Sequence, residues 1–361
     1  MSEADALARK HPIAAFSLDA LTAGAAKLRP ERLALAEAGP GARPQGLNYG
    51  AFDGQVRVLA QHLLDLGIMP RERILIFTGA RSGCLVAAVA ALAAGLEPLL
   101  LPIGVGGEEA AAAAQASECV AVLGPTSYGA LQLEATLFET AARSETIRLV
   151  ATLGPGEADG AIDLAPERLQ VDSAKSSPAT PDIRPRIGTL NARREPVFHE
   201  QSVLLSAALD FLAKAEIGAD SRLLSTLAPA SFASLVTGPV ASLLSGAPLT
   251  LFGPFEAASF LAVLDTIGRN HCVLPAAILA DFAKAALLRD SVLASAIAIM
   301  PNEAAIPASC DCPLISVHAL DERGGITVER AARANSKAAP TLSGEVLAPV
   351  LPARHPERSW R

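Results

Sequence analysis

RILIFTGARSGCLVAAVAALAAGLEPLLLP, residues 73–102, holds two short apolar runs on either side of a longer Ala-rich run. Short apolar runs bounded by Gly or Pro predict buried strands, here Arg73–Phe77 and Pro98–Leu101. The Ala-rich run between them predicts a helix that ends at Gly95. A strand, a helix and a strand of these lengths predict a parallel sheet covered by helices on both faces.

The same alternation extends over the first half of the chain. Five apolar residues recur at spacings of four and three and predict one helix face, which Gly67 ends: Phe52, Val56, Leu59, Leu63 and Leu66. A helix from Glu108 and strands at Cys119–Leu123 and Ile147–Leu153 follow.

The second half repeats the first at an offset of about 150 residues. Arg222-Leu223-Leu224 echoes Arg73-Ile74-Leu75, and Gly246–Leu249 echoes Gly95–Leu99. We therefore predict an α/β fold with two similar, doubly wound, mostly parallel subdomains. The predicted units are a leader (1–30), a first subdomain (31–153), a Pro-rich solvated linker (154–186), a second subdomain (187–325) and a loop-rich tail (326–361).

Charge and composition argue against several classes of partner and location. The net charge of −7 lacks strong clustering and argues against nucleic acid or an acidic membrane surface as the main partner. Gly83–Gly107 has one charged residue, but Gly and Pro interrupt it, so a buried helix and strand are predicted rather than a membrane span. The N-terminus has no signal-peptide pattern, and Cys310 and Cys312 form a lone C-x-C, predicting a cytoplasmic protein with reduced cysteines.

The order of these elements resembles the N-terminal domain of the adenylate-forming (AMP-binding) enzymes, which include acyl-CoA synthetases, peptide-synthetase adenylation domains and luciferases. The residues that carry the resemblance are 48–102 and 222–248, and it covers roughly residues 30–325. It implies the fold of that domain. It also implies activation of a carboxylate with ATP and magnesium, giving an acyl-adenylate and pyrophosphate.

The resemblance places a phosphate-binding loop at Ile187–His199. Family loops are rich in small residues, because backbone N–H groups must approach phosphate oxygens, and they end in Pro-Lys. Here only Gly188 and Thr189 match, and the lysine position holds Glu195, a carboxylate that would repel a triphosphate. Arg193 or Arg194 is the candidate to replace the lysine.

Two further parts of the chain match segments with family roles. His199 matches a family histidine near the acyl tunnel, although a lone histidine between apolar residues is often a structural group. In Val317–Glu322, His318 stands at an aromatic position, Asp321 replaces a phosphate-contacting threonine, and Glu322 is retained as a candidate magnesium ligand. A solvated turn at Asp321–Arg323 is the alternative for this segment.

Other candidate motifs are weaker. Pro301–Glu303 replaces the family's acyl-pocket Gly-Gly-Ala, and the C-terminal domain expected after Glu322 is missing from the sequence. Gly104–Gly107 lacks dinucleotide-loop spacing and precedes two glutamates, so an ordinary loop is predicted.

We therefore predict a pseudoenzyme, an accessory or regulatory subunit with no cofactor. It would bind a protein partner, a second copy of itself, an acyl group or an acyl carrier. The alternative is an active acyl-adenylate or acyl-CoA ligase that uses ATP and magnesium and borrows its C-terminal lid from a separate polypeptide.

Overall fold

The computed structural model describes residues 16–40, 45–154, 156, 158–169, 184–287, 289–300, 312–321 and 325–331. Its helices are α1 (Leu18–Leu28), α2 (Tyr49–Asp65), α3 (Ser82–Ala93), α4 (Gly107–Ala116), α5 (Glu134–Arg143), α6 (Gln201–Ala215), α7 (Phe232–Leu235), α8 (Ala241–Ser245), α9 (Ala257–Ile267) and α10 (Ala276–Lys284). Within these residues, no helix is long and apolar enough to cross a bilayer.

The strands form two large sheets and a small hairpin. They are β1 (Leu33–Ala38), β2 (Gln45–Asn48), β3 (Arg73–Thr78), β4 (Glu97–Pro102), β5 (Cys119–Gly124), β6 (Ser127–Tyr128), β7 (Leu131–Gln132), β8 (Leu149–Thr152), β9 (Ile162–Asp163), β10 (Ile187–Leu190), β11 (Pro196–His199), β12 (Leu223–Ser225), β13 (Leu249–Phe252), β14 (Asn270–Pro275), β15 (Leu293–Met300), β16 (Leu314–Asp321) and β17 (Gly325–Ala331). The eight-stranded sheet has the order β17-β16-β15-β14-β12-β13-β1-β2, and the seven-stranded sheet has the order β11-β10-β4-β3-β5-β8-β9.

The unit at residues 73–102 folds as its sequence predicts. Strands β3 and β4 pair in parallel, with Arg73 opposite Glu97, and α3 connects them. Helix α2 begins where Asn48 accepts a hydrogen bond from the N–H of Ala51 at 2.8 Å. The repeated unit is confirmed as well, because β12 and β13 pair in parallel with Leu223 opposite Leu249.

The two sheets and three layers of helices form five layers, held together by three clusters of buried apolar residues. The largest lies between the two sheets and contains α1, α2, α3, α6, α7 and α8. A second covers the outer face of the eight-stranded sheet with α9 and α10, and a third covers the outer face of the seven-stranded sheet with α4 and α5. Both sheets are thus buried on both faces, which explains their continuous apolar strands.

The first and second halves of the sequence do not each form one of the two sheets. β1 and β2 precede the first βαβ unit, yet they extend the eight-stranded sheet beside β13. Conversely, β10 and β11 follow the Pro-rich segment but extend the seven-stranded sheet beside β4. The chain therefore crosses between the sheets more than once, and the sheets share one central core.

Two of the predicted units contain elements that the sequence did not predict. Residues 18–28, part of the predicted leader, form α1, in which Leu18 and Thr22 are buried. The linker interpretation fails for residues 158–169, because β9 pairs with β8 and Leu164 and Ala165 are buried. Residues 170–183 lie outside the described residues. The long strands β16 and β17 were not predicted.

Gln201 ties three segments together at the start of α6. Its side-chain oxygen accepts a hydrogen bond from the N–H of Leu18 at 2.8 Å, and its amide nitrogen donates to the carbonyl oxygen of Pro185 at 2.8 Å. Gln201 is only 5% exposed. Helix α1 and the segment that enters β10 are therefore anchored to α6 through one buried amide.

An ionic cluster fixes the entry of β10 beside β4. Glu97 accepts hydrogen bonds from Arg186 at 2.7 Å and from Arg73 at 3.0 Å, and both guanidinium groups lie over the ring of Phe198. Burial alone would raise the pKa of Glu97, but hydrogen bonds from Arg186 and Arg73 outweigh it and hold that pKa below its usual range.

His271 is a buried polar group at the start of β14. Its Nδ1 lies 2.8 Å from the hydroxyl of Ser295, and the residue is 7% exposed. Burial, together with the charges of Arg269 and Arg330, lowers the pKa of His271 to about 4. The histidine is therefore neutral in the folded protein at neutral pH.

Candidate functional site

The β10–β11 loop, residues 191–195, lies at the carboxyl edge of the seven-stranded sheet. It occupies that edge because β10 runs parallel to β4 and the chain reverses into the antiparallel β11. Ligands of open α/β sheets bind beyond the carboxyl ends of the strands. The loop predicted as the phosphate-binding segment therefore occupies a position suited to that task.

Asn191 closes this loop from within. Its side-chain oxygen accepts hydrogen bonds from the N–H groups of Arg193 at 2.9 Å and Glu195 at 2.8 Å. The N–H of Asn191 donates to the carbonyl oxygen of Glu195 at 2.9 Å, and the N–H of Arg194 donates to the carbonyl oxygen of Asn191 at 3.0 Å. Four of the five N–H groups of the loop thus already have partners inside it.

The charges around the loop are mixed. Arg194 donates two hydrogen bonds to the carboxylate of Glu109, at 2.8 and 3.0 Å, across to the first turn of α4. The carboxylate of Glu195 accepts a hydrogen bond from the side-chain nitrogen of Asn191 at 3.0 Å. One of the two candidate replacement arginines is therefore engaged by an acid, and a second acid is part of the loop itself.

Gly188 and Thr189 lie in β10 rather than in the loop. A Cβ atom on Gly188 would come within 2.9 Å of both Leu99 and Phe198, so the glycine allows close packing against these side chains. Thr189 is 2% exposed, and its hydroxyl lies 2.9 Å from Nε2 of His199. Both residues thus have structural contacts, and their predicted role in cofactor binding remains a prediction.

His199 faces the central helical layer. It is 4% exposed, and its ring centroid lies 5.0 Å from that of Phe232 at the start of α7. The structure therefore brings together Thr189 and His199, two of the candidates predicted from the sequence, and adds Phe232, which the sequence did not suggest.

His318 lies in a different layer from these residues. It sits on β16 with Met300 and Thr327 as strand neighbours, and alternation along the strand turns it toward the outer face, where Met300 is buried. Asp321 is the last residue of β16. Glu322 lies outside the described residues, so its role as a magnesium ligand remains a prediction.

A polar cluster at the carboxyl ends of β1 and β3 was missed by the sequence analysis. Glu37 on β1 accepts hydrogen bonds from the backbone N–H of Ser82 at 2.5 Å, from the Ser82 hydroxyl, and from Arg81 at 3.1 Å. The carboxylate thereby binds the N-terminus of α3, where the helix dipole favours negative charge. This contact joins the eight-stranded sheet to a helix of the seven-stranded sheet.

Tyr128 completes that cluster from the β6–β7 hairpin. Its hydroxyl accepts a hydrogen bond from the N–H of Ala80 at 3.3 Å, and its ring lies 5.5 Å from the guanidinium of Arg81. Burial raises the pKa of Tyr128, and burial raises the pKa of the Cys84 thiol to about 11. Neither the Tyr128 phenol nor the Cys84 thiol therefore ionises near neutral pH.

Comparison with solved structures identifies the fold. Acetoacetyl-CoA synthetase from Streptomyces lividans superposes with a TM-score of 0.71 at 19% identity, over 84% of this chain and 51% of that protein. A long-chain fatty-acid CoA ligase described as putative, from Rhodopseudomonas palustris, gives 0.71 at 16% identity, over 87% and 78%. MbtA of Mycobacterium smegmatis gives 0.72 at 20% identity, over 87% and 58%. The chain thus has the fold of the N-terminal domain of adenylate-forming enzymes.

The sequence comparison matches a segment in the first half of the chain. Residues 23–185 match the sequence model of the family named AMP-binding enzyme, which confirms the resemblance to the AMP-binding superfamily. No curated protein sequence matches the chain. The chain spans about half the length of the first of the similar structures, 51% of it.

Proposed function

We propose that this chain is a non-adenylating protein with the adenylate-forming fold, an accessory or regulatory subunit that binds a protein partner or an acyl ligand. The β10–β11 loop carries the proposal. It stands where the resemblance places the phosphate-binding loop, but it presents Glu195 in place of lysine. Two of its N–H groups, those of Arg193 and Glu195, also donate to the side-chain oxygen of Asn191.

Electrostatics support this proposal. A carboxylate about 5 Å from one phosphate charge costs about 1–3 kcal/mol at effective dielectric constants between those of a protein surface and water. Glu195 is exposed beside the loop, and Glu109 is close enough to bind Arg194. The Arg194–Glu109 pair is itself exposed and contributes only about 0–1 kcal/mol, so it does not lock Arg194 away. Loop closure and the charge of Glu195 therefore carry more weight than the ion pair.

Pyrophosphate exchange tests the proposal. We expect the purified chain to show no ATP- and carboxylate-dependent exchange of labelled pyrophosphate. In a thermal-shift screen, we expect Mg-ATP and AMP to leave the melting temperature unchanged and an acyl ligand to raise it, because a ligand that binds only the native state stabilises it. Saturable exchange by the pure chain would refute the proposal.

An active ligase is the second candidate function, favoured by the similarity in fold to a synthetase and a CoA ligase. It would require Arg193 or Arg194 to neutralise phosphate charge, Glu322 to bind magnesium, and a separate polypeptide as the C-terminal lid. Loss of a measured ligase activity in Glu322→Ala, with activity retained in Glu329→Ala, would support this candidate. Ligase activity unaffected by Glu322→Ala would count against this magnesium role.

We also propose that the chain works with a protein partner or as a homo-oligomer. Leu28, Met69 and Leu131 are exposed apolar residues, at 80%, 62% and 51%, and are available for such contacts. Light scattering after size-exclusion chromatography tests the homo-oligomer. A monodisperse monomer that also captures no protein in pull-down would contradict both forms of the proposal.

A further inference from the structure

We infer that the amino edge of the eight-stranded sheet is a docking surface for an acidic face of a protein partner. The inference rests on the proposed accessory role and names the chemistry of the partner. Strands β1 and β12–β16 run parallel, so their amino ends share this edge, and the carboxyl end of the antiparallel β17 joins them. The β10–β11 loop lies at a carboxyl edge of the other sheet, so the two surfaces are separate.

A row of arginines follows this edge. Arg32, Arg222 and Arg269 each precede the first residue of a strand, and three more lie in the same loops or at the end of β17. The edge arginines are Arg29, Arg32, Arg222, Arg269, Arg289 and Arg330, and all except the half-buried Arg32 are exposed. From β1 to β17 the row crosses six strand spacings of about 4.8 Å, or about 29 Å. That length is about the diameter of a small domain, so one folded partner can span it.

The edge arginines differ from the other arginines in their contacts. Eight described arginines outside the edge form ion pairs with acids. Within the part of the chain that the structure describes, five of the six edge arginines pair with no acid. Arg222 instead donates to the carbonyl oxygen of Ile267 at 3.1 Å, and Arg32 donates to that of Ala219. A carbonyl group holds a guanidinium in place without neutralising its charge, so that charge is available to a partner.

Acids at the edge do not cancel this charge. The described residues of the same loops include four acids, which are Glu31, Glu216, Asp220 and Asp290. Glu216 pairs with Arg330, and Glu31 accepts a hydrogen bond from Asn48 at 3.1 Å. The edge therefore has more positive than negative groups, in a chain whose net charge is −7.

Two buried groups behind the edge are affected by the arginines. Burial lowers the pKa of His271, and the edge arginines at β14 and β17 lower it further, although Glu216 opposes them. Burial raises the pKa of Tyr49, and the edge arginines before β1 act against that rise. His271 lies on β14 and Tyr49 at the start of α2 beside β1, so the positive potential extends along the row.

Carboxylates on a protein fit this surface better than the phosphates of a nucleic acid. The guanidinium fork of arginine binds a carboxylate through two parallel hydrogen bonds. A phosphate backbone carries uniform negative charge, which the acids of the edge and the net charge of −7 would repel. A protein face can instead place acids opposite the arginines and basic groups opposite Asp220 and Asp290.

Fluorescence anisotropy with a fluorescein-labelled oligoglutamate peptide tests the inference. We expect saturable binding by the wild-type chain that weakens as salt is added, because salt screens exposed charges. Arg222→Gln combined with Arg269→Gln should weaken binding about three- to thirtyfold, the effect of losing two exposed ion pairs. Arg57→Gln combined with Arg143→Gln is the matched control. It removes the same charge at two exposed arginines that already pair with acids on α2 and α5, so the affinity should not change.

A second double variant guards against a loss of folding in the first. Arg29→Gln with Arg289→Gln changes two exposed side chains that hydrogen-bond to no described residue, and it should weaken peptide binding to a similar extent. Equal affinities of the edge variants and the control, or no peptide binding by the wild type, would overturn the inference. Tighter binding of an oligouridylate of the same charge would also overturn it, by assigning the edge to nucleic acid. Pyrophosphate exchange by the wild type would instead overturn the proposed function, because it reports on the β10–β11 loop and not on this edge.

Discussion

Replacing Gln201 with methionine should lower the free energy of unfolding by about 2–6 kcal/mol. Methionine has nearly the same length but no amide, so the change removes two hydrogen bonds without leaving a large cavity. The N–H of Leu18 and the carbonyl of Pro185, each 2.8 Å from the amide, would lose their partners beside a residue that is 5% exposed. Each unpaired buried group costs about 1–3 kcal/mol.

Urea unfolding followed by circular dichroism measures this change. A loss of this size is a large share of the 5–15 kcal/mol that typically stabilises a folded domain. The midpoint should therefore fall while the slope with urea stays constant. Gln61→Met is the matched control, because Gln61 makes only an exposed hydrogen bond to Asp65 at 2.8 Å on α2. Its loss should cost about 0.2–0.5 kcal/mol.

Equal midpoints for the two variants would refute this reasoning. In that case water or a small backbone shift would satisfy the groups that Gln201 leaves behind. The docking of α1 would then depend on apolar contacts such as Leu18, which is 3% exposed.

Two further predictions concern buried positions. Because burial and Arg269 hold the pKa of His271 at about 4, below its unfolded value of 6.5, the wild type should lose stability as pH falls from about 6.5 toward 4, by up to about 3 kcal/mol. In His271→Gln, the free energy of unfolding, measured by urea titration at each pH, should vary less over this pH range. An unchanged dependence on pH would show that His271 does not cause the effect. Gly188→Ala should destabilise the fold by about 1–3 kcal/mol, since its Cβ would come within 2.9 Å of Phe198. The control Gly54→Ala, in an open helical position, should gain about 0.5–1 kcal/mol, so a neutral Gly188→Ala would argue against a packing role.

Local sequence patterns predicted those helices and strands that pack against elements adjacent to them in the sequence. The segment from Arg73 to Pro102 forms β3, α3 and β4. Its apolar pattern and the glycine at Gly95, where the helix ends, predict the same elements. β1 and β2 gave no comparable signal, since β1 pairs with the distant β13 and β2 joins the sheet through β1. Likewise β17 is stabilised chiefly by its register with β16, which no local periodicity reveals.

The same distinction between local sequence features and contacts in the folded chain applies to the candidate site. Charge at Glu195 is visible in the sequence, and so is the lack of glycines in the loop. The hydrogen bonds by which Asn191 closes the loop could not be predicted from the sequence. They depend on a left-handed backbone conformation at Arg194, which arginine rarely adopts. The Glu37–Ser82 contact was equally hidden, since the two residues are 45 positions apart, one on β1 and the other at the start of helix α3.

The placement of β1 beside β13 has a consequence for synthesis on the ribosome. Leu35 pairs with Leu249, so 249 − 35 = 214 residues must be added before β1 meets the partner on its inner side. At translation rates of about 5–20 residues per second, the nascent chain carries this strand without that partner for roughly 10–40 s. The hydrogen-bonding groups on that side of β1 remain open to other chains during that time. The growing chain is therefore more exposed to strand pairing with its neighbours than the finished protein, whose core is continuous.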